Sequence, residues 1–175
     1  MRRLPVYFLL DTSGSMNGEP IQALNNAMSG MINSLRSDAQ ASETLWISII
    51  TFDRIVNEIS PLTELPLFQL PEIVCPQSGP TNTGAGLEYI IQQVKKDVIK
   101  GSSTQKGDWK PLVFIMTDGI PTDDWQSGLN EFKRAKVAFT VACAAGSGAD
   151  SNILKQITDN VVSLDTADSA SIGKF

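Results

Sequence analysis

The chain has 175 residues, 42% of them hydrophobic and 19% charged, with a net charge of -5. That suits a single α/β-sized domain over residues 1–175 with its own core, and the acidic balance argues against a nucleic-acid groove. Histidine is absent, which excludes Ser-His-Asp and Cys-His catalysis and any zinc site that uses histidine.

In chain order, the opening "MRRLPVYFLLD" starts like a signal peptide, but its apolar run is short, contains Pro5 and ends at Asp11 without a cleavage site. No apolar run has the length of a membrane span, so the expectation is a cytoplasmic protein without membrane insertion. Residues 6–10 read as a buried strand. Ile21, Leu24, Met28, Met31 and Leu35 recur at three- and four-residue steps, the stripe of an amphipathic helix. "LWISIITF" (45–52) is rich in strand formers, and residues 55–59 are placed to pair back on it through a turn at Asp53-Arg54, as an antiparallel edge strand. Residues 61–80 contain five prolines and read as a loop.

Leu87, Ile90, Ile91, Val94 and Val98 mark a second helix. A polar connection follows, with Lys95, Lys96, Lys100, Lys106 and Lys110 interrupted by Asp97 and Asp108, which reads as a solvated helix end and loop. "LVFIM" (112–116) is a buried strand stopped by "TDG". Leu129 and Phe132 lie on a third helix, with Asp123 or Asp124 as its cap. "VAFTVACA" (137–144) is a strand, Ile153, Leu154 and Ile157 mark a short helix, and "VVSL" (161–164) is the last strand, with the start of one more helix beyond it. Cys75 and Cys143 fit no metal spacing; Cys143 reads as a buried thiol and Cys75, in a Pro-flanked stretch, as a more exposed one.

Continuous apolar strands alternating with helices predict a doubly wound, mostly parallel sheet with helices on both faces. Ligand sites in such sheets lie beyond the carboxyl ends of the strands, at the switch point. Three polar segments gather there: "DTSGS" after the first strand, "GPTNTGAG" before the second long helix, and "TDGIPTDD" after "LVFIM". They supply Asp11, Ser13, Ser15, Thr81 or Thr83, and Asp118, all oxygen donors, which suit a hard cation: Mg2+, Mn2+ or Ca2+. In an extended or gently turning loop, the alternate spacing of Asp11, Ser13 and Ser15 points them to one side, with Gly14 providing unusual dihedrals. Singly, each has an ordinary role: Asp11, Ser13, Thr81 and Thr83 as helix caps and "TDG" as a turn. The combination favours a metal site, with Met16, Asn17, Asp123, Asp124 and Trp125 as further rim candidates.

"DTSGSM" resembles the D-x-S-x-S element of von Willebrand factor type A domains, "GPTNTGAGL" their threonine loop and "FIMTDGIPTDDW" their later aspartate loop, in family order and over essentially the whole chain. The resemblance implies the family's metal-ion-dependent adhesion site on Asp11, Ser13, Ser15, Thr81 and Asp118, Thr81 being chosen over Thr83 as the first threonine of T-x-T. The "TDGIPTDDW" form is most similar to bacterial TerY-like proteins of tellurite-resistance and stress operons. Members of that group often run longer, which leaves room for a trimmed chain here. The implied function is a metal-dependent protein-binding module, not an enzyme, in which the cation bridges to an Asp or Glu carboxylate of a protein partner encoded in the same operon. The competing reading is Mg2+-dependent phosphoryl transfer with Asp11 as nucleophile. It is weakened by Ser13 where a second acid is wanted and by the lack of a Walker motif. A phosphoaccepting receiver domain lacks its acidic cluster and lysine.

Overall fold

The computed structural model describes residues 1–76 and 79–164. Strand β1, Leu4–Asp11, shows why its sequence is apolar without interruption: it lies inside the sheet and is covered on both sides. Val6, Phe8 and Leu10 enter one core layer, and Tyr7 and Leu9 the other. β2 (Leu45–Phe52) repeats the pattern, with Ile47 and Ile49 on the first face and Ile50 and Phe52 on the second.

With β3 (Val56–Glu64), β4 (Leu112–Thr117), β5 (Phe139–Ala145) and β6 (Val161–Leu164), these strands form one six-stranded sheet in the order β3-β2-β1-β4-β5-β6. All pairings are parallel except β2 with β3. Helix α1 (Glu19–Arg36) covers the first face through Leu24, Met28, Met31 and Ile32. Helices α3 (Thr83–Asp97), α4 (Trp125–Ala135) and α5 (Ser151–Ile157) cover the second through Leu87, Ile90, Leu129, Phe132 and Leu154. The expected doubly wound fold with one antiparallel edge strand is therefore present. Chain order reverses between β1 and β4, so the switch point falls beside the last residues of those two strands.

Three local expectations need correction. The edge strand does not stop at Ile59 but runs through Pro61 to Glu64. Its register slips by one residue between the Ile47↔Thr63 and Ile49↔Ser60 pairs, so Pro61 lies in a bulge of an edge strand, where its missing N–H costs nothing. The remainder of the proline-rich stretch is a strap rather than a free loop, because Leu65, Phe68 and Ile73 are buried in the first core layer. Asn25 on α1 holds the strap by pairing with both backbone groups of Ile73, at 2.8 and 3.0 Å, and Arg36 donates to the Phe68 carbonyl. A short helix α2 (Ala39–Thr44), not foreseen in the sequence, is started by Asp38, whose carboxylate accepts from the Ala41 N–H at 2.8 Å. The helix expected after residue 164 lies outside the described residues.

Helices α3 and α4 meet at glycines. A Cβ on Gly128 would stand 2.6 Å from the Gly84 carbonyl oxygen and 2.9 Å from its Cα, whereas one on Gly148 would meet nothing within 4 Å. Backbone cannot yield as a side chain does, so Gly128→Ala should destabilise the chain by about 2 kcal/mol or more, and Gly148→Ala should stay within about 0.5 kcal/mol of the parent. Urea unfolding of both variants checks this; equal midpoints would mean that the helices are free to move apart.

Candidate metal centre

β1 carries Asp11 to the carboxyl edge of the sheet, and the chain then turns sharply. A 3-10 turn, Gly14–Met16, replaces the extended loop that the alternate spacing had suggested. The turn still brings the serines together, with Ser13 Oγ and Ser15 Oγ 3.2 Å apart. Gly14 is not in a left-handed conformation; the positive φ angles near the edge belong to Gly18, Gly119 and Gly146. Ser15 is exposed and Ser13 buried. Met16, expected at the rim, is fully buried in the first core layer, because the 3-10 turn points it inward. Asn17 is exposed and donates to the carbonyls of Gly14 and Pro76, tying the turn to the end of the strap.

Asp11 has no solvent exposure. Its Oδ1 accepts from the Ser13 N–H at 2.8 Å and its Oδ2 from the Thr117 hydroxyl at 2.6 Å. Burial pushes its carboxyl up from 3.8 to about 6; the hydrogen bonds from Ser13 and Thr117 oppose that rise, and the charge of Asp118 adds to it. Asp118 is half-buried, just past β4. Its carbonyl accepts from the Asp150 N–H at 3.3 Å. Gly119 next to it has φ of 132°, and its N–H donates to Thr117 Oγ1 at 3.1 Å. A side chain there would be strained and would press on Asp150.

Thr81 is buried immediately before α3, and two hydrogen bonds fasten it to the aspartate loop. Its N–H donates to Thr122 Oγ1 at 2.8 Å, and the Thr122 N–H donates to its carbonyl at 2.9 Å. Asp123 completes the clasp by accepting from the N–H groups of Gly84 and Ala85, at 3.3 and 3.2 Å. This corrects the expectation for Asp123: it caps α3, not the helix that follows it. Asp124 holds the N-cap position of α4 without a side-chain bond. Trp125 is half-buried against the second core layer rather than free at the rim. Neither Thr81 nor Thr83 caps α3, and Thr83 Oγ1 is buried without a partner.

Three loops thus meet around Asp11, and the β2–β3 turn joins them. Thr12 Oγ1 donates to Asp53 Oδ2 at 2.9 Å, and the Asn82 N–H donates to the Asp53 carbonyl at 3.1 Å. Cys75, half-buried rather than open, lies close enough to feel Asp11, Asp53 and Asp118. Burial first and then those charges push its thiol up to about 11, while burial alone pushes Cys143 up to about 12. The positioning residues Thr117 and Thr122 were not identified in the sequence as serving the site, and Asp123, read as a rim group or a cap of the helix after it, was given the wrong partner. Only the strand-end place of Thr117, one step before Asp118, hinted at its role.

The donor set, all oxygen, fits a divalent cation. It offers two carboxylates and three hydroxyls, and among the described residues no basic side chain hydrogen-bonds to Asp11 or Asp118 to balance their charge. No group of three or more His, Cys, Asp or Glu side chains converges among the described residues, so a site here depends on its hydroxyls.

Without a cation, Asp11 makes stability depend on pH in a defined direction. The folded chain holds its proton up to about pH 6, whereas an unfolded Asp releases it near 3.8. Between those values stability falls as pH rises, and above pH 6 the loss stays constant. Asp11→Asn should therefore stabilise the chelator-treated protein near neutral pH, by on the order of 1–3 kcal/mol, and bring little gain at about pH 4. Thermal melts at the two pH values check the sign; the same gain at both would remove the buried charge as its source.

The family model for the von Willebrand factor type A domain matches residues 6–173. No curated protein sequence matches the chain. Among solved structures, proximal thread matrix protein 1 from the mussel byssus superposes with a TM-score of 0.67 at 19% identity, covering 99% of this chain and 46% of that one. Another structure of that protein has a zinc-occupied MIDAS motif. The pilus adhesin SpaC from Lactobacillus rhamnosus GG superposes with a TM-score of 0.71 at 15% identity, over 99% of this chain and 29% of that one. The conserved hypothetical protein BatB from Bacteroides thetaiotaomicron gives 0.66 at 14% identity, over 98% and 95%. At these identities the likeness is one of fold, and the chain spans less than half the length of the mussel and pilus proteins.

Proposed function

Because the chain belongs to the von Willebrand factor type A domain family, we propose that it is a metal-dependent protein-binding module whose cation is held by Asp11, Ser13, Ser15, Thr81 and Asp118. One observation carries the reading: a fully buried carboxylate, Asp11, is held by neutral donors only, at the point where three oxygen-rich loops converge. A divalent cation supplies the missing positive charge and, when bound, offers a Lewis-acidic position to an incoming ligand. The protein's own part is to hold Asp11 rigid through Thr117 and Ser13, to hold Thr81 through Thr122, and to leave Ser15 open to solvent. Mg2+ is the favoured ion on the hardness of the donors, with Mn2+ and Ca2+ as substitutes.

The ligand is a protein carboxylate, from Asp or Glu, that takes a position otherwise held by water. Exposed Ile120, two residues past Asp118, offers such a partner an apolar contact beside the metal. Binding rather than turnover is supported by Asp11 itself, whose two oxygens are both engaged in hydrogen bonds inside the protein, a poor state for a nucleophile. The "TDGIPTDDW" likeness supports a place among TerY-like tellurite-resistance and stress-response proteins, with a partner from the same operon. No helix among the described residues is long and apolar enough to cross a membrane.

Titration calorimetry with Mg2+ and Mn2+ tests the site. The parent chain should bind one ion and Asp11→Ala none; equal binding by both would remove Asp11 from the site. The same titration checks the clasp. Thr122→Val deletes the acceptor for the Thr81 N–H and should weaken cation affinity about tenfold, while Thr122→Ser keeps it and should bind as the parent does. Unchanged affinity in the valine variant would detach Thr81 from the metal.

A further inference from the structure

Acidic side chains dominate one end of this chain, while basic ones outnumber acids such as Asp38, Glu43, Glu64, Asp97 and Asp108 at the other. In a parallel α/β layer the helices run against the strands, so helix starts and strand ends share one edge. Around the site edge stand Glu19, opening α1; Asp53, bonded to Thr12; Asp123, bonded to the α3 backbone; Asp124 beside it; and Asp150, whose N–H meets the Asp118 carbonyl. Asp53, Asp123 and Asp150 meet only hydroxyls and backbone N–H groups there, which leave the negative charge in place. The one basic side chain that the described loops of this edge carry is Arg54. Lys and Arg collect at the opposite edge instead: Arg2 and Arg3 before and at the start of β1, Lys95 and Lys96 in the last turn of α3, Lys106 and Lys110 in the connection to β4. There Arg3 pairs with Asp108 at 2.7 Å.

This distribution conflicts with the simplest picture of the partner. A divalent cation balances Asp11 and Asp118, yet five carboxylates still ring it against one guanidinium. An acidic partner surface would be repelled by that ring before its carboxylate reached the metal. Charges within a Debye length, about 10 Å at 0.1 M salt, act on one another across such a rim. Resting on the metal-bridge reading above, we infer that the partner presents a single Asp or Glu carboxylate set among Lys and Arg residues: the carboxylate meets the cation and the basic residues meet the rim. Charge complementarity here selects the partner and speeds the encounter, while the metal contact fixes the register.

Synthetic peptides test this directly. Each carries one central Asp flanked by Lys, by Ser or by Glu, and a control has Asn between Lys residues. Fluorescence anisotropy measures their binding to the Mn2+-loaded chain at low and at high salt, and again in chelator. The Lys-flanked Asp peptide should bind at least tenfold tighter than the Glu-flanked one at low salt, with the Ser-flanked peptide between them and the gap shrinking as salt rises. Glu19→Lys with Asp124→Lys, two side chains that make no hydrogen bonds among the described residues, should narrow the gap. Equal affinity for Lys- and Ser-flanked peptides would overturn the inference and leave the metal bridge standing. Lys-flanked binding that survives chelator, or the Asn exchange, would overturn it too, since basic charge alone would then suffice. If calorimetry shows bound Mn2+ but no Asp peptide binds, the carboxylate bridge fails and the inference falls with it.

Discussion

A carboxylate without solvent exposure at the end of a central strand is the constraint on which this edge of the molecule is built. Burying a charge is costly unless something answers it. Asp11 is answered in part by the Ser13 N–H and the Thr117 hydroxyl, and its carboxyl still sits near 6. The neighbouring strand ends then arrange further oxygen around it instead of positive side chains. That is an unfavourable local arrangement for a chain alone, and a favourable one for a chain that takes up a divalent cation.

The topology explains why so many loops reach one point. β1 lies between β2 and β4, and the chain leaves β1 for one face of the sheet and β4 for the other at the switch point. Loops after β1 and β4 therefore end side by side, and the start of α3 is brought over them by the β2–β3 turn through Asp53 and Asn82. Thr122 and Asp123 then lock the threonine loop to the aspartate loop, and the glycine contact between α3 and α4 holds the helices behind them. The proline-rich strap closes the other side, pinned by Asn25 and Asn17. The site residues are positioned by links between elements far apart in sequence, so disturbing one loop is felt by the others.

What could be read in advance follows the same physics. Residues 6–10 and 45–52 were legible as strands because burial on both faces leaves an unbroken apolar run, and α1 because one buried face leaves a three-four stripe. The loops that carry Asp11, Ser13, Ser15, Thr81 and Asp118 could be placed in advance because each follows or precedes a recognisable element, and the structure brings those loops to one edge; their joint role as cation ligands is the proposal. Pro61 misled because the local rule against proline in strands gives way at a bulged edge. Helix α2 is short and polar and carries no stripe to read. Asp123 caps a helix that begins 40 residues earlier in the chain, a contact that no local pattern encodes. Met16 was misplaced because a 3-10 turn, not an extended loop, follows Ser13.

The account stands or falls on whether one divalent cation sits at Asp11. Crystals grown with Mn2+ and measured at its absorption edge locate the ion by anomalous scattering without assumptions about its ligands. The account predicts a single strong peak within coordination distance of oxygens from Asp11, Ser13, Ser15, Thr81 and Asp118, directly or through one water, that vanishes in Asp11→Ala crystals. A strong peak elsewhere with none at this edge, or an edge peak that persists in the variant, would contradict it.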